Sequence, residues 1–204
     1  MNYLVHLYLS DDDPLCRLGN LMGDFVKGPL AQYDYPEKLL QGLRQHRAVD
    51  TLAQGHAAVR RSRERLDDCF GHTKGILIDI FYDHFLSKNW ESWGLGSLRD
   101  FAEAGYRLLH RHRRILPHEF RPVARRMIRY DWLTAYRKPE TIRFVLERMS
   151  QRLTRPNLLA QGHRELVRCA EGLEADCRDF LVSTAEILEA GSRPPLGPDF
   201  MDRR

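Results

Sequence analysis

Apolar residues return every three or four positions through nearly the whole chain, the period of a helix with one buried face. Three aspartates, Asp11 to Asp13, precede Pro14, and proline suits the first turn of a helix. That helix is expected to run to about Lys27 and stop at Gly28-Pro29. Pro36 opens the next, which carries Leu39, Leu40, Leu43, Val49 and Leu52, breaks near Gly55 and continues to Cys69. Residues 75–89 are apolar on one side through Ile76, Ile80, Phe81 and Phe85. After a glycine-rich turn at 94–96, helices are expected at 98–116, closed by Pro117, at 122–129 and at 140–153. A long one follows from Pro156 to about Ala190, striped by Leu158, Leu159, Leu166, Val167, Leu173, Phe180 and Leu181. The opening NYLVHLYL has a local pattern a strand could share, but no partner strand is in view, so it reads as helix. The expected fold is all-α, one helical domain over 1–190, with a disordered proline-containing tail at 191–204.

A content of 43% hydrophobic and 29% charged residues suits a globular chain with a full core at 23.9 kDa. No apolar run approaches the ~20 residues needed to cross a bilayer, and no basic segment precedes an apolar stretch at the start. Cys16, Cys69, Cys169 and Cys177 are scattered without a CxxC pair, which favours reduced thiols over a disulfide framework or structural zinc. The expected location is the cytoplasm, without membrane insertion.

The net charge of +4 is unevenly spread. RRSRER at 60–65, HRHRR at 110–114, and then Arg121, Arg125, Arg126 and Arg129 make dense basic stretches. They are either solvated helix faces or a surface for an anionic partner. Arg60, Arg61, Arg111, Arg113, Arg114, Arg125 and Arg126 are the candidate partner-binding residues.

Within apolar surroundings stand His6, Asp24, His46, Asp50, Asp79, Asp83 and His84. A bare carboxylate in a core costs several kcal/mol unless it is paired or bound to a cation. His46 and Asp50 are four residues apart and share a helix face, as do Asp79 and Asp83; His84 points about 100° from Asp83. Asp24 lies in GNLMGDFVKG, between two glycines that allow backbones to approach closely. Mixed imidazole and carboxylate donors suit Mn²⁺, Fe²⁺ or Zn²⁺, with Mg²⁺ possible where oxygen dominates. Each pair taken alone could be an ordinary ion pair; the set together favours one metal site. There is no P-loop, GxGxxG or GxSxG.

These residues carry a resemblance. Asn2 to Leu7 as N-[YF]-L-x-H-L, then GNLMGDFVKG, HRAVD, and D-x-x-x-D-H-F-L-S-x-x-W from Asp79 to Trp90 together resemble the acyl carrier protein phosphodiesterases. The stretch around Tyr130, Asp131, Trp132, Leu133 and Tyr136 is similar as well. That family is distantly related to the HD-type phosphohydrolases, so the resemblance implies an HD-like helical bundle. It also implies removal of 4′-phosphopantetheine from holo-acyl carrier protein with Mn²⁺ as preferred metal. Carried over, it assigns His6, Asp24, His46, Asp50, Asp83 and His84 to the metal site, with Asp79 behind them. Asp83-His84 reverses the His-Asp order for which the HD families are named.

The chemistry expected of such a site is in-line attack on phosphorus by a metal-activated water. His84 or His6 would protonate the departing serine oxygen, Arg47 would hold the phosphate, and Asp24 is the carboxylate on which turnover depends. Two rivals stand beside this reading: an HD-like phosphohydrolase of nucleotides or small phosphoesters, and a non-catalytic basic helical protein binding nucleic acid.

Overall fold

The computed structural model describes residues 1–93 and 96–192. It is all-α, with eleven α-helices and no strand among the described residues. In chain order they are α1 (Tyr3–Tyr8), α2 (Pro14–Met22), α3 (Glu37–Gly55), α4 (Ala57–Arg65), α5 (Lys74–Lys88), α6 (Leu98–Arg111), α7 (Phe120–Arg129), α8 (Trp132–Ala135), α9 (Pro139–Ser150), α10 (His163–Arg168) and α11 (Ala170–Ser192). One contiguous apolar core joins them around the fully buried Trp90, Tyr82, Phe81, Phe120 and Phe180. No described helix is long and apolar enough to cross a membrane.

Local chemistry accounts for the element boundaries. The Asp13 carboxylate accepts the amides of Leu15 and Cys16 ahead of Pro14, which starts α2 as expected. That helix stops at Met22 and not near Lys27, because Gly23–Phe25 tightens to a 3₁₀ turn and Val26 is extended. The break near Gly55 is real: His56 is extended and caps α4 through its Nδ1, which accepts the Ala58 amide. The segment expected to reach Cys69 ends at Arg65, with Asp67 opening a separate 3₁₀ turn.

The long helix expected over 156–190 is broken. Asn157 accepts the Leu159 amide and donates to the carbonyls of Ser150 and Arg155, stabilising a turn that competes with helix. A second break at Cys169 separates α10 from α11. From residue 193 onward the expected tail lies outside the described residues, as do 94 and 95 of the glycine-rich turn.

The helix pair that positions the site is α2 against α3. A Cβ at Gly19 would collide with the Leu39 carbonyl and one at Gly42 with the Cys16 carbonyl. The two helices therefore cross backbone to backbone, closer than side chains would permit. That approach sets the end of α2 directly over the middle of α3.

Candidate metal centre

His46 projects from α3 into the hollow beside Gly23, where any added Cβ would strike its ring. Its Nδ1 donates to the Asn20 carbonyl at 2.9 Å. With the ring proton held there, Nε2 carries the lone pair in the neutral form. Nε2 lies 3.3 Å from Asp50 Oδ2, one turn further along α3, and 3.5 Å from Asp24 Oδ1 in the 3₁₀ turn after α2. His6, on α1, stacks its ring on that of His46 at 3.8 Å and 14°. Its Nε2 stands 3.2 Å from Asp50 Oδ1, yet neither of its buried ring nitrogens makes a hydrogen bond. Donor atoms of His6, His46 and Asp50 all lie within 4.8 Å of one another.

The electrostatics follow from this crowding. Burial opposes charge on His46, but the hydrogen bonds it donates to Asp24 and Asp50 outweigh that and push its pKa up to about 9. Burial, reinforced by the neighbouring His46 and the terminal ammonium, pushes His6 down to about 4. Asp50 is held far below the usual carboxylate range despite burial, through His46, His6 and the Met1 amine. That amine lies 2.9 Å from Asp50 and 3.7 Å from Asp79 Oδ1.

Two imidazoles and a carboxylate within ligand reach, one imidazole fixed from behind by a carbonyl and the other with unpartnered buried nitrogens, form a donor set that fits a divalent cation.

The remaining predicted residues are placed as follows. Asp24 borders the group with its side chain 54% exposed, and His46 holds its pKa low against burial. Asp79 is half-exposed, its pKa is raised by desolvation, and its cationic neighbour is the Met1 amine. Asp83 lies outside the His6–His46–Asp50 group: its two oxygens accept the amides of Leu4 (3.0 Å) and Val5 (2.9 Å), capping α1 from across the core. Burial nonetheless pushes its pKa to about 7. His84 turns away on the next position of α5 and gives Nδ1 to the Tyr136 carbonyl at 2.8 Å, also outside the group. The reversed Asp83-His84 dyad is thus split between two jobs. The Arg47 guanidinium donates to the carbonyls of Val26 (2.9 Å) and Gly28 (2.8 Å), bracing the loop after Asp24.

Sequence reasoning missed the Asn20 carbonyl and the ring cluster of Tyr3, Phe25, Phe120 and Trp132, which includes a residue of α1 and one of the turn that carries Asp24. A backbone acceptor leaves no side-chain signature, although Asn20 sits inside the singled-out GNLMG stretch.

Residues 1–184 match the family model described as acyl carrier protein phosphodiesterase. Proteins of that name from Photorhabdus laumondii and Klebsiella pneumoniae are similar to this chain. The first is 33% identical over 81% of this chain and 84% of its own length, the second 30% over 93% and 98%. One from Escherichia coli O6:H1 is 27% identical over 96% of this chain and 100% of its own. No solved structure matches.

Proposed function

The chain belongs to the acyl carrier protein phosphodiesterase family, a family of hydrolases, and we propose that it cleaves the phosphodiester joining 4′-phosphopantetheine to a serine of holo-acyl carrier protein, leaving the apo carrier. The observation that carries this reading is the convergence of His6, His46 and Asp50 from two helices 40 residues apart in sequence. These residues, with Asp24 at the rim, would hold one divalent cation, with Mn²⁺ the first choice and Mg²⁺ or Fe²⁺ as alternatives. When bound, such an ion neutralises phosphate oxygens and lowers the pKa of coordinated water.

The chain's own residues do the rest. Asn20 fixes the His46 tautomer, so that Nε2 is the donor atom. His6, neutral near pH 7 because its pKa is driven down, serves as a ligand and not as a proton donor. Asp83 anchors the start of α1 and so holds His6 in register. Asp24, exposed and anionic, is the carboxylate an incoming substrate meets first. Tyr3 and Phe25, which stack on Phe120, sit in the elements that carry His6 and Asp24. The four cysteines form no disulfide, which suits a reducing compartment, and the reading places the reaction in the cytoplasm.

The test is incubation of the purified protein with holo-carrier and Mn²⁺, followed by mass spectrometry of the carrier. Loss of the prosthetic arm, abolished by a chelator and by Asp50→Ala, is the expected outcome. An intact holo-carrier in every condition, or full activity in Asp50→Ala, would overturn the proposal.

A further inference from the structure

The two basic stretches of this chain have different fates. On α4, Arg61 donates through Nε to Asp176 (2.7 Å) and also pairs with Asp179, while Arg65 donates to Asp176 at 2.9 Å. Those cations are spent on α11. On α7, FRPVARRMIR contains four arginines and no acid. Arg121 braces the preceding turn by donating to the carbonyls of Leu116 and Arg114. Arg125, Arg126 and Arg129 are exposed and have no carboxylate partner among the described residues; Arg129 lies over the Tyr130 ring. Beside them Ile128 is 36% and Tyr130 57% exposed. The end of α6 and the turn before α7 add Arg111, Arg113, Arg114 and Ile115, all exposed.

This face adjoins the metal centre. Phe120, the first residue of α7, stacks on Phe25 at 4.8 Å and on Tyr3 at 6.4 Å, the residues that follow Asp24 and precede His6 in their elements. Arg126 is close enough to Tyr3 to act on its phenol. An unneutralised cationic helix with apolar side chains between its charges matches an acidic, helical protein surface, and cationic charge so near the site must be matched by whatever delivers the phosphodiester.

Resting on the proposed reaction, we propose that the exposed face of α7, Arg125, Arg126 and Arg129 with Ile128 and Tyr130, is the docking surface for the acidic carrier protein, and that the 60–65 stretch is not. Docking there brings the carrier's serine-linked arm to the Asp24 rim. It also assigns the two basic stretches opposite roles: α7 meets the partner, and α4 holds α11.

Steady-state kinetics on Mn²⁺-loaded enzyme with holo-carrier test this. Arg125→Glu/Arg129→Glu is expected to raise KM roughly tenfold with a much smaller change in kcat, and to flatten the salt dependence of kcat/KM. Arg60→Glu/Arg63→Glu, which touches no ion pair, is expected to leave KM within about twofold. Circular dichroism melting of both variants excludes misfolding. A second arm needs no variant: KM of the wild-type protein should climb between low and physiological salt. Equal KM shifts in the two variants, or an unchanged KM in the α7 variant, would overturn the assignment. So would an α7 variant that retains its KM but loses binding to duplex DNA, which would give the face to nucleic acid. If wild-type enzyme releases no arm from the carrier, the reaction itself fails; if it does and α7 reversal is silent, only the docking surface fails.

Discussion

Asp176 on α11 and Asp50 on α3 both face nitrogen atoms inside the bundle, yet their surroundings differ in kind. Asp176, 1% exposed, accepts from Arg61, Arg65 and Ser62, and every charge has its complement within the protein. Asp50 faces His6, whose ring nitrogens are buried without a hydrogen bond, and His46, which is held as a proton carrier only by two carboxylates. The first arrangement is finished by folding. The second pairs Asp50 with the Met1 amine but leaves both ring nitrogens of His6 buried without a hydrogen bond. Burial of charge alone does not mark function; incompleteness of its pairing does.

The sharpest way to break that comparison is to delete each acid. Asp50→Ala is expected to lower turnover of holo-carrier by on the order of 10³-fold or more, and its metal-free form should also melt lower, because the Met1 amine and His46 lose their carboxylate. Asp176→Ala should leave kcat nearly intact while costing about 3 kcal/mol in urea denaturation, since the half-exposed arginine heads can still reach water. If both variants lose stability and activity alike, the contrast between them is wrong.

A smaller effect is expected at Gly23, where an alanine methyl must displace the His46 ring. Gly23→Ala should weaken Mn²⁺ binding by roughly 10- to 100-fold in isothermal titration, the scale on which ligand misorientation acts. Unchanged affinity would mean that His46 is not held where a cation needs it.

The mildest test is pH. The folded pKa of His46, about 9, lies above its ordinary 6.5, so its contribution to stability is complete below pH 6.5 and is lost as pH rises toward 9. Metal-free protein should therefore melt at progressively lower temperature across that window. With Mn²⁺ bound His46 is already deprotonated, so that decline should disappear and melting temperature hold level. An identical decline in both forms would separate His46 from the metal.

Much of this was legible in the letters, and the exceptions share a cause. GNLMG announced a close backbone approach, and Gly19 and Gly23 provide it. The four-residue spacing of His46 and Asp50 put both on one face of α3, where they meet. The same spacing put Asp79 and Asp83 on one face of α5, and both do turn toward the start of the chain; what they find there is an amine and two amides. Backbone donors carry no letter, so the two amides that Asp83 accepts have no signature in the spacing. The arginines at 61 and 65 looked free because their acid lies more than a hundred residues away. The long C-terminal helix was overdrawn because an apolar stripe continues through a turn that Asn157 stabilises.

Helix α1 is six residues long, too short to persist alone in water. Its first amides are satisfied by a carboxylate borrowed from α5, some eighty positions downstream. His6 therefore depends on a contact that only the assembled bundle supplies, and a change at Asp83 would disturb the His6 ring without touching any atom of the His6–His46–Asp50 group.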